Sequence, residues 1–387
     1  MNAFMLSQNK MKIVYNILGT YNSGGMERVL ANKVNYLTAQ GYDVTIITTD
    51  QKKRKPYFEM NPQIRHIDLG INYTDNNDKG LLGKILSYPK KQKIHKHKLE
   101  KILPDLKADI VISMFDNDAA ILPKIKDGSK KILEIHFSRF KRLQYGRKGV
   151  WRIINRLRSN ADLKVVQQYD RFVVLTHEDK SYWGNLTNIE VIPNANSFAP
   201  TENASLNAKK VIAVGRYDYQ KGFDELISIW QRIYKVYPDW ILNIFGHGPL
   251  KNELQNQINR LDLKENVYLR EPVKDIEKEY LNSSIVVMTS RYEGLPMALL
   301  EGQACGLPLV SYACKCGPKD IIKDNENGFL IEEGDQNKMA HKIIKLIENK
   351  ELRLKMGENA FKASDCFSEE NVMKKWLHLF NNLNKCT

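Results

Sequence analysis

The sequence predicts an α/β protein made of two doubly wound domains facing each other across a cleft. Three observations lead there. Short apolar runs rich in Ile, Val and Leu alternate with amphipathic helical patterns, as in a parallel sheet covered on both faces. The alternation stops once, over Asn196–Ala208, where small polar residues show no period, and then restarts. The 387 residues are enough for two domains with cores of their own, without a disulfide or metal staple.

In the first half, Met11–Leu18 reads as a buried strand. A glycine-containing loop leads to a helix over Met26–Ala39, and Gly41 is placed as its stop. Val44–Thr48, Asp109–Ser113, Lys131–Ile135, Phe172–Thr176 and Glu190–Ile192 are further strands. After the linker come strand Lys210–Val214, helix Phe223–Val236, strand Trp240–Phe245, helix Leu250–Leu261 and strand Asn266–Leu269. Strand Ile285–Met288, helix Pro296–Ala304 and strands Leu307–Ser311 and Gly328–Ile331 follow. The end is helical, over His341–Glu348, Leu352–Ala363 and Glu369–Leu383. This reading divides the chain into domains 1–197 and 198–365 and a C-terminal helix, 366–387. Sheets of this kind take ligands beyond the carboxyl ends of their strands, which for two facing domains means the cleft.

The composition excludes several classes. Charged residues make up 27%, an ordinary globular share, so the chain is not disordered. No run approaches the roughly 20 apolar residues of a membrane span. Met1–Lys12 lacks a signal peptide's apolar segment, and a cytoplasmic chain is expected. Cys305, Cys314, Cys316, Cys366 and Cys386 are odd in number and read as reduced thiols. The net charge of +14 resides in one segment: Lys79–Lys164 holds 16 Lys and 6 Arg against 8 acidic residues. Within it, Ser138–Arg158 interleaves Phe140, Leu143, Trp151, Ile153, Ile154 and Leu157 with cations. That pattern fits a helix on an anionic membrane surface, a nucleic-acid contact, or a solvated face. No nucleic-acid recognition module is visible, and nucleic acid is not expected as a partner.

Three loops carry chemistry. Thr20–Glu27 places Gly24 and Gly25 between a strand and a helix, where a backbone can approach a phosphate. Gly215-Arg216 and Lys221-Gly222 follow the first strand of the second domain; Arg offers a planar fork and Lys a mobile charge for a diphosphate. In Arg291–Glu301, two carboxylates, Glu293 and Glu301, stand astride the turn Gly294-Leu295-Pro296, with Pro296 expected at the first helical position. Glu can accept from sugar hydroxyls, and the amides between them can donate to phosphate. A fourth pattern, Asp116-Asn-Asp118, has the spacing with which another transferase fold holds a divalent cation. Chance produces it about once in such a chain, and no metal site is expected. His95-Lys-His97 is expected to lie in the basic helix and to be solvated.

Together these residues resemble the retaining glycosyltransferases of family 4, which have the GT-B fold. The likeness is to the capsule, exopolysaccharide and lipopolysaccharide enzymes of bacteria. It is reinforced by Ile192-Pro193-Asn194, Phe245-Gly246-His247-Gly248-Pro249, Gly317–Ile322, Phe367–Trp376 and Leu133-Glu134-Ile135-His136. It departs at Asp320, where relatives commonly carry Glu. The resemblance implies that a C-terminal helix crosses back to the first domain, and that the donor is a nucleotide-diphosphate sugar. UDP-Gal, UDP-GalNAc, UDP-Glc and UDP-GlcNAc are the expected donors. Arg216 and Lys221 would neutralise the diphosphate, with the amides of Gly25, Gly294, Leu295 and Met297 adding donors and Pro296 belonging to the same donor-side turn. Gly24, Glu27 and Gly215 would belong to the donor site, Arg270 and Val273 would lie at the base, and Glu301 would bind ribose. Glu293 would hold the transferred sugar, with His136 beside it on the acceptor side. The acceptor would attack on the leaving-group face, the departing phosphate would take its proton, and the anomeric configuration would be retained. The resemblance further implies no cofactor, metal-independent transfer and a lipid-linked glycan acceptor, and the basic segment Lys79–Lys164 leads to an expectation of peripheral, salt-sensitive attachment to the inner face of the membrane. The alternative is a nucleotide-sugar epimerase or hydrolase of the same architecture.

Overall fold

The computed structural model describes residues 11–76, 80–139 and 159–384. Strands β1 (Lys12–Ile17), β2 (Asp43–Thr48), β3 (Arg65–Asp68), β4 (Ile110–Ser113), β5 (Lys130–Glu134), β6 (Arg171–Val174) and β7 (Ile189–Val191) form one sheet, ordered β3-β2-β1-β4-β5-β6-β7. A second sheet contains β8 (Lys210–Val214), β9 (Ile241–Phe245), β10 (Val267–Arg270), β11 (Ile285–Met288), β12 (Leu309–Tyr312) and β13 (Gly328–Ile331), ordered β10-β9-β8-β11-β12-β13. The pairs β1–β4 and β8–β11 are parallel, and the strand order reverses at each. The loops after β1 and β8 therefore leave the sheets at a switch point, where α/β sheets bind ligands.

Helices of the first half include α1 (Gly25–Ala39), α2 (Leu81–Leu106) and α3 (His177–Tyr182), and residues 159–166 are helical as well. The second half contains α4 (Phe223–Tyr234), α5 (Lys251–Arg260), α6 (Ile276–Leu281), α7 (Met297–Ala304), α8 (Pro318–Ile321), α9 (Gln336–Glu348), α10 (Lys350–Ser364) and α11 (Glu369–Asn384). α4 shows why they form: Phe223, Leu226, Ile227, Trp230 and Ile233 recur at helical spacing and enter the core over β8 and β9. α11 packs elsewhere. Its Val372, Met373, Trp376, Leu379, Phe380 and Leu383 join Tyr15, Leu30 and Ile112 in the core of the first sheet. Each such side chain contributes roughly 1.5–3 kcal/mol, so the last helix is an integral part of the first domain. The linker is packed too: Asn196 N donates to Phe367 O at 2.8 Å, and Ala204 N to Cys305 O at 2.9 Å.

The structure corrects several expectations. Pro296 precedes α7 as its N-cap, in an extended conformation, and Met297 is the first helical residue. His95 is buried on α2, its Nδ1 3.1 Å from Tyr73 OH; burial lowers its pKa to about 4. The cause is helical spacing, since His95, Leu99 and Leu103 lie four residues apart on one buried face, while His97 is exposed. α2 is the basic helix expected around His95, whose bounds the sequence does not give, and β3 is a strand not read from the sequence. Asp118 is buried within the first domain, and burial, helped by Asp116, pushes its carboxyl up to about 8. Among the described residues no group of three His, Cys, Asp or Glu side chains is arranged to hold a metal ion. Cys305, Cys314, Cys316 and Cys366 are free thiols. Of the basic segment, Lys79 and residues 140–158 lie outside the described residues. No described helix is long and apolar enough to cross a membrane.

Candidate active site

The loop after β8 builds one wall of the cleft. Asp218 Oδ1 accepts from Lys221 N at 3.3 Å, closing a short turn over Tyr219–Lys221. Gly222 follows with φ of 63°, a conformation glycine adopts without the Cβ penalty. A Cβ there would also strike the Thr289 carbonyl, whose residue donates its hydroxyl to Gly222 O at 3.0 Å. Arg291 clamps the same turn, donating to Asp224 Oδ2 and Glu225 Oε1 at 2.8 Å each. So fastened, Lys221 lays its stem 3.1 Å from the position a Gly215 Cβ would occupy and reaches Glu293: Nζ lies 2.6 Å from Oε1. Gln220 donates to Tyr292 O at 2.9 Å, which fixes the Glu293 loop. Arg216 stands on the same turn, 67% exposed, its Nε 3.8 Å from Asp218 Oδ2.

From Glu293 the chain runs into α7. Glu301 is buried on that helix, with Oε1 accepting from Ser197 Oγ at 2.6 Å and Oε2 from Tyr280 OH at 3.0 Å. Burial raises its pKa, against the hydrogen bond from Ser197 and the charge of Arg28 on α1. A carboxylate offers about four lone-pair directions, so both oxygens can still accept from a ligand.

The facing wall comes from the first domain. α1 begins at Gly25 after an N-cap, Gly24, that has no side chain to cap it, and the Glu27 carboxylate folds back over Gly24 to accept from its own backbone amide, leaving the amides of Gly25 and Met26 without a side-chain cap. The Cβ position of Gly25 lies 3.8 Å from Met297 Cγ, the first residue of α7. Two helix N-termini therefore meet across the cleft, and both favour an anion. Asn22 Nδ2 donates to Glu27 Oε1 at 3.3 Å, and burial, set against that bond and the nearby His136, raises the Glu27 pKa. A Cβ on Gly294 would sit 2.6 Å from His136 O, so only glycine lets the Glu293 loop approach the His136 strand this closely. Asp320 fastens the two walls at another point, accepting from His177 N on α3 at 3.1 Å, beside Cys316 N donating to Glu178 Oε2 at 2.9 Å.

The structure thus brings Lys221 to Glu293, Gly25 to Met297, and Gly294 to His136. Leu295 is buried and Pro296 caps α7 between them. Arg270 folds onto Asn243 and the Tyr268 ring, with its carbonyl accepting from Tyr217 OH at 2.7 Å. Val273 is exposed beyond β10. Sequence reasoning missed Ser197, Tyr280 and Gln220, which only the fold brings to the glutamates. It also missed Lys33 and Glu134, which lie below His136. Lys33 left a signal, as a cation inside the apolar stripe Val29, Leu30, Val34, Leu37.

Residues 23–195 match the family described as Glycosyltransferase Family 4, and residues 196–363 the family described as Glycosyl transferases group 1. A Haemophilus influenzae protein named as an uncharacterized glycosyltransferase is 31% identical over 376 residues, covering 94% of this chain and 98% of its own. A Campylobacter jejuni α-1,4-N-acetyl-D-galactosaminyltransferase, named for an acceptor glycan on PP-undecaprenol, is 26% identical over 376 residues, covering 95% and 98%. Among solved structures, a mutant of S. aureus TarM in complex with fondaparinux, α-GlcNAc-glycerol and UDP superposes with a TM-score of 0.79 at 20% identity, covering 96% of this chain and 100% of that one.

Proposed function

The chain belongs to the family 4 glycosyltransferases of GT-B fold, and on that premise we propose that it moves a hexose or N-acetylhexosamine from a UDP-sugar to a lipid-linked glycan acceptor, with retention of configuration. One arrangement carries the reading. Lys221 and Glu293 meet at 2.6 Å where the N-termini of α1 and α7 converge. Cation and amides suit a departing diphosphate; the carboxylate suits hydroxyls of the transferred sugar. Preorganised donors of this kind are often the largest catalytic contribution. The donor class is supported by the UDP held in the TarM complex, and the acceptor class by the PP-undecaprenol in the Campylobacter enzyme's name.

In this reading Arg216 swings onto the diphosphate when donor binds, Glu301 takes the ribose, and Arg270 and Val273 border the base. Lys221 and Arg216 supply the positive charge, so transfer proceeds without a metal and survives EDTA. The acceptor oxygen bonds to the anomeric carbon as the bond to the diphosphate breaks, and the acceptor's proton passes to the leaving phosphate oxygen.

A thermal-shift screen of UDP-Gal, UDP-GalNAc, UDP-Glc and UDP-GlcNAc tests donor binding, because a ligand of the folded state raises the transition. Transfer to a polyprenyl-diphosphate glycan then tests the reaction. Folded protein with no turnover on any donor would sink the reading. Epimerisation or hydrolysis of donor alone, faster than transfer, would replace it with the other reading of this fold.

The basic segment 79–164 is proposed to hold the enzyme on an anionic membrane. On α2, Leu86, Tyr88 and Ile94 are exposed among the exposed Lys90, Lys93, Lys96 and Lys101. Such a face inserts apolar groups and pairs cations with lipid headgroups. Sedimentation should show salt-sensitive binding to anionic vesicles and none to neutral ones; equal binding to both removes the electrostatic account.

A further inference from the structure

Beneath His136 lies a buried ion pair that no step above uses. On β5 and its extension, Leu133 and Ile135 face one core of the first domain, while Ile132 faces the other. Alternation puts Glu134 and His136 on the Ile132 side, under α1 and α11. There Lys33 Nζ lies 2.5 Å from Glu134 Oε1, with the two side chains 5% and 1% exposed. The same Oε1 lies 3.2 Å from His136 Nε2, out of line for a hydrogen bond but near enough for its negative charge to favour the ring proton at that nitrogen. Trp376 of α11 covers the Lys33 ammonium, 3.9 Å from its ring centroid. Burial works to raise the Glu134 pKa, but Lys33 and His136 outweigh it and pull the carboxyl down to about 2.

A buried pair of this kind is a poor way to gain stability, since well-packed apolar residues do as well or better. What an apolar pair cannot do is face a histidine with a carboxylate. With the carboxylate against Nε2, the ring proton is favoured at Nε2, which leaves Nδ1 as acceptor. Nδ1 is buried and has no protein partner, and the His136 carbonyl abuts the Gly294 turn.

We propose that Glu134, held in place by Lys33, is a positioning residue for His136: it fixes the imidazole's orientation and tautomer so that Nδ1 is the edge offered to a hydroxyl of the transferred sugar. This rests on the glycosyltransferase reading of His136. Lys33 keeps the carboxylate charged and aimed, and Trp376 shields the lysine from water.

Nitrogen-15 NMR of the imidazoles in the full-length, ligand-free protein at pH 8, with the His136 signals assigned from His136→Ala, reads the tautomer directly. The Nε2–H form should dominate in the wild type and give way to a mixture in Glu134→Gln. An unchanged spectrum overturns the proposal. Initial rates of UDP release are then compared across the four UDP-sugars with acceptor present. Lys33→Met/Glu134→Leu replaces the pair with apolar side chains and keeps the fold. It should melt like the wild type yet lose on the order of tenfold to a hundredfold in kcat, with donor KM within about threefold. Wild-type kcat in that double variant means the pair is only structural and overturns the proposal. His136→Ala separates the two levels. If it is inactive while the double variant is active, the positioning role alone fails; if it retains full activity, the role of His136 itself fails.

Discussion

Lys33 and Lys221 are each joined to a glutamate, at 2.5 Å and 2.6 Å, yet their surroundings differ. Lys33 is sealed between a sheet and two helices, under Trp376. Lys221 sits on a turn and is 20% exposed; on the same turn Arg216 has only a 3.8 Å contact with Asp218. The first domain thus holds this pair inside its core, where removing one partner alone disturbs the fold. The second holds its pair on clamped loops, where the charges can be removed or re-aimed. Strength of the ion pair is not the difference; what surrounds it is. Loss of one partner on the two walls should therefore differ in kind: a large cost in stability on the buried side, and a loss of chemistry at unchanged stability on the clamped loops.

The largest effect expected is on the buried wall. Lys33→Met leaves Glu134 charged and alone, which costs about 3–5 kcal/mol. Urea or thermal unfolding measures it, and a loss under about 1 kcal/mol would erase the contrast. Next comes Arg216→Ala. Its stability should stay within about 0.5 kcal/mol of wild type, while kcat falls on the order of 10²–10³-fold, as for loss of one preorganised donor. Full activity here would take Arg216 out of the site. Glu301→Ala should be smaller, weakening UDP binding by about 1.5–3 kcal/mol in calorimetry, the range for a hydrogen bond to a charged group. Unchanged affinity would refute the ribose assignment.

The most gradual effect is a pH dependence confined to the buried wall, spread over several pH units rather than read at one condition. The Asp118 carboxyl is pushed to about 8 in the folded chain, against about 3.9 unfolded. Between these values the folded chain keeps a proton that the unfolded chain has lost. Stability from this group therefore falls as pH rises from about 4 to about 8, and is level above. Asp118→Asn should flatten that slope in melting curves taken across the interval; an unaltered slope would mean that Asp118 is ionised in the fold.

Much of this contrast was legible in the sequence on one side only. The loop residues of the second domain lie close together along the chain, so Gly215-Arg216, Lys221-Gly222 and Glu293–Glu301 announce themselves. The other strands of both sheets and α11 were equally readable, because apolar periods mark them, and the linker stood out by having none. The buried wall was not. Glu134 is 101 residues from Lys33, and no local pattern joins them. A lone lysine in the α1 stripe reads as one that snorkels to water. The bounds of α2 hid behind Pro89 and Pro104 and a run of cations, and β3 is four residues long at a sheet edge. Pro296 was misplaced by one residue because proline fits either side of a helix start.

The packing of α11 also sets an order of manufacture. The main core of the second domain runs from Val211 to Met356 and can close as soon as those residues leave the ribosome. The first domain's sheet begins at Lys12, but one of its faces needs Val372 through Leu383. At ~5–20 residues per second, Ile13 and Tyr15 wait through the synthesis of an entire neighbouring domain before Trp376 arrives. The part made first is therefore finished last, and the apolar face over β1 is where a nascent chain would need a chaperone.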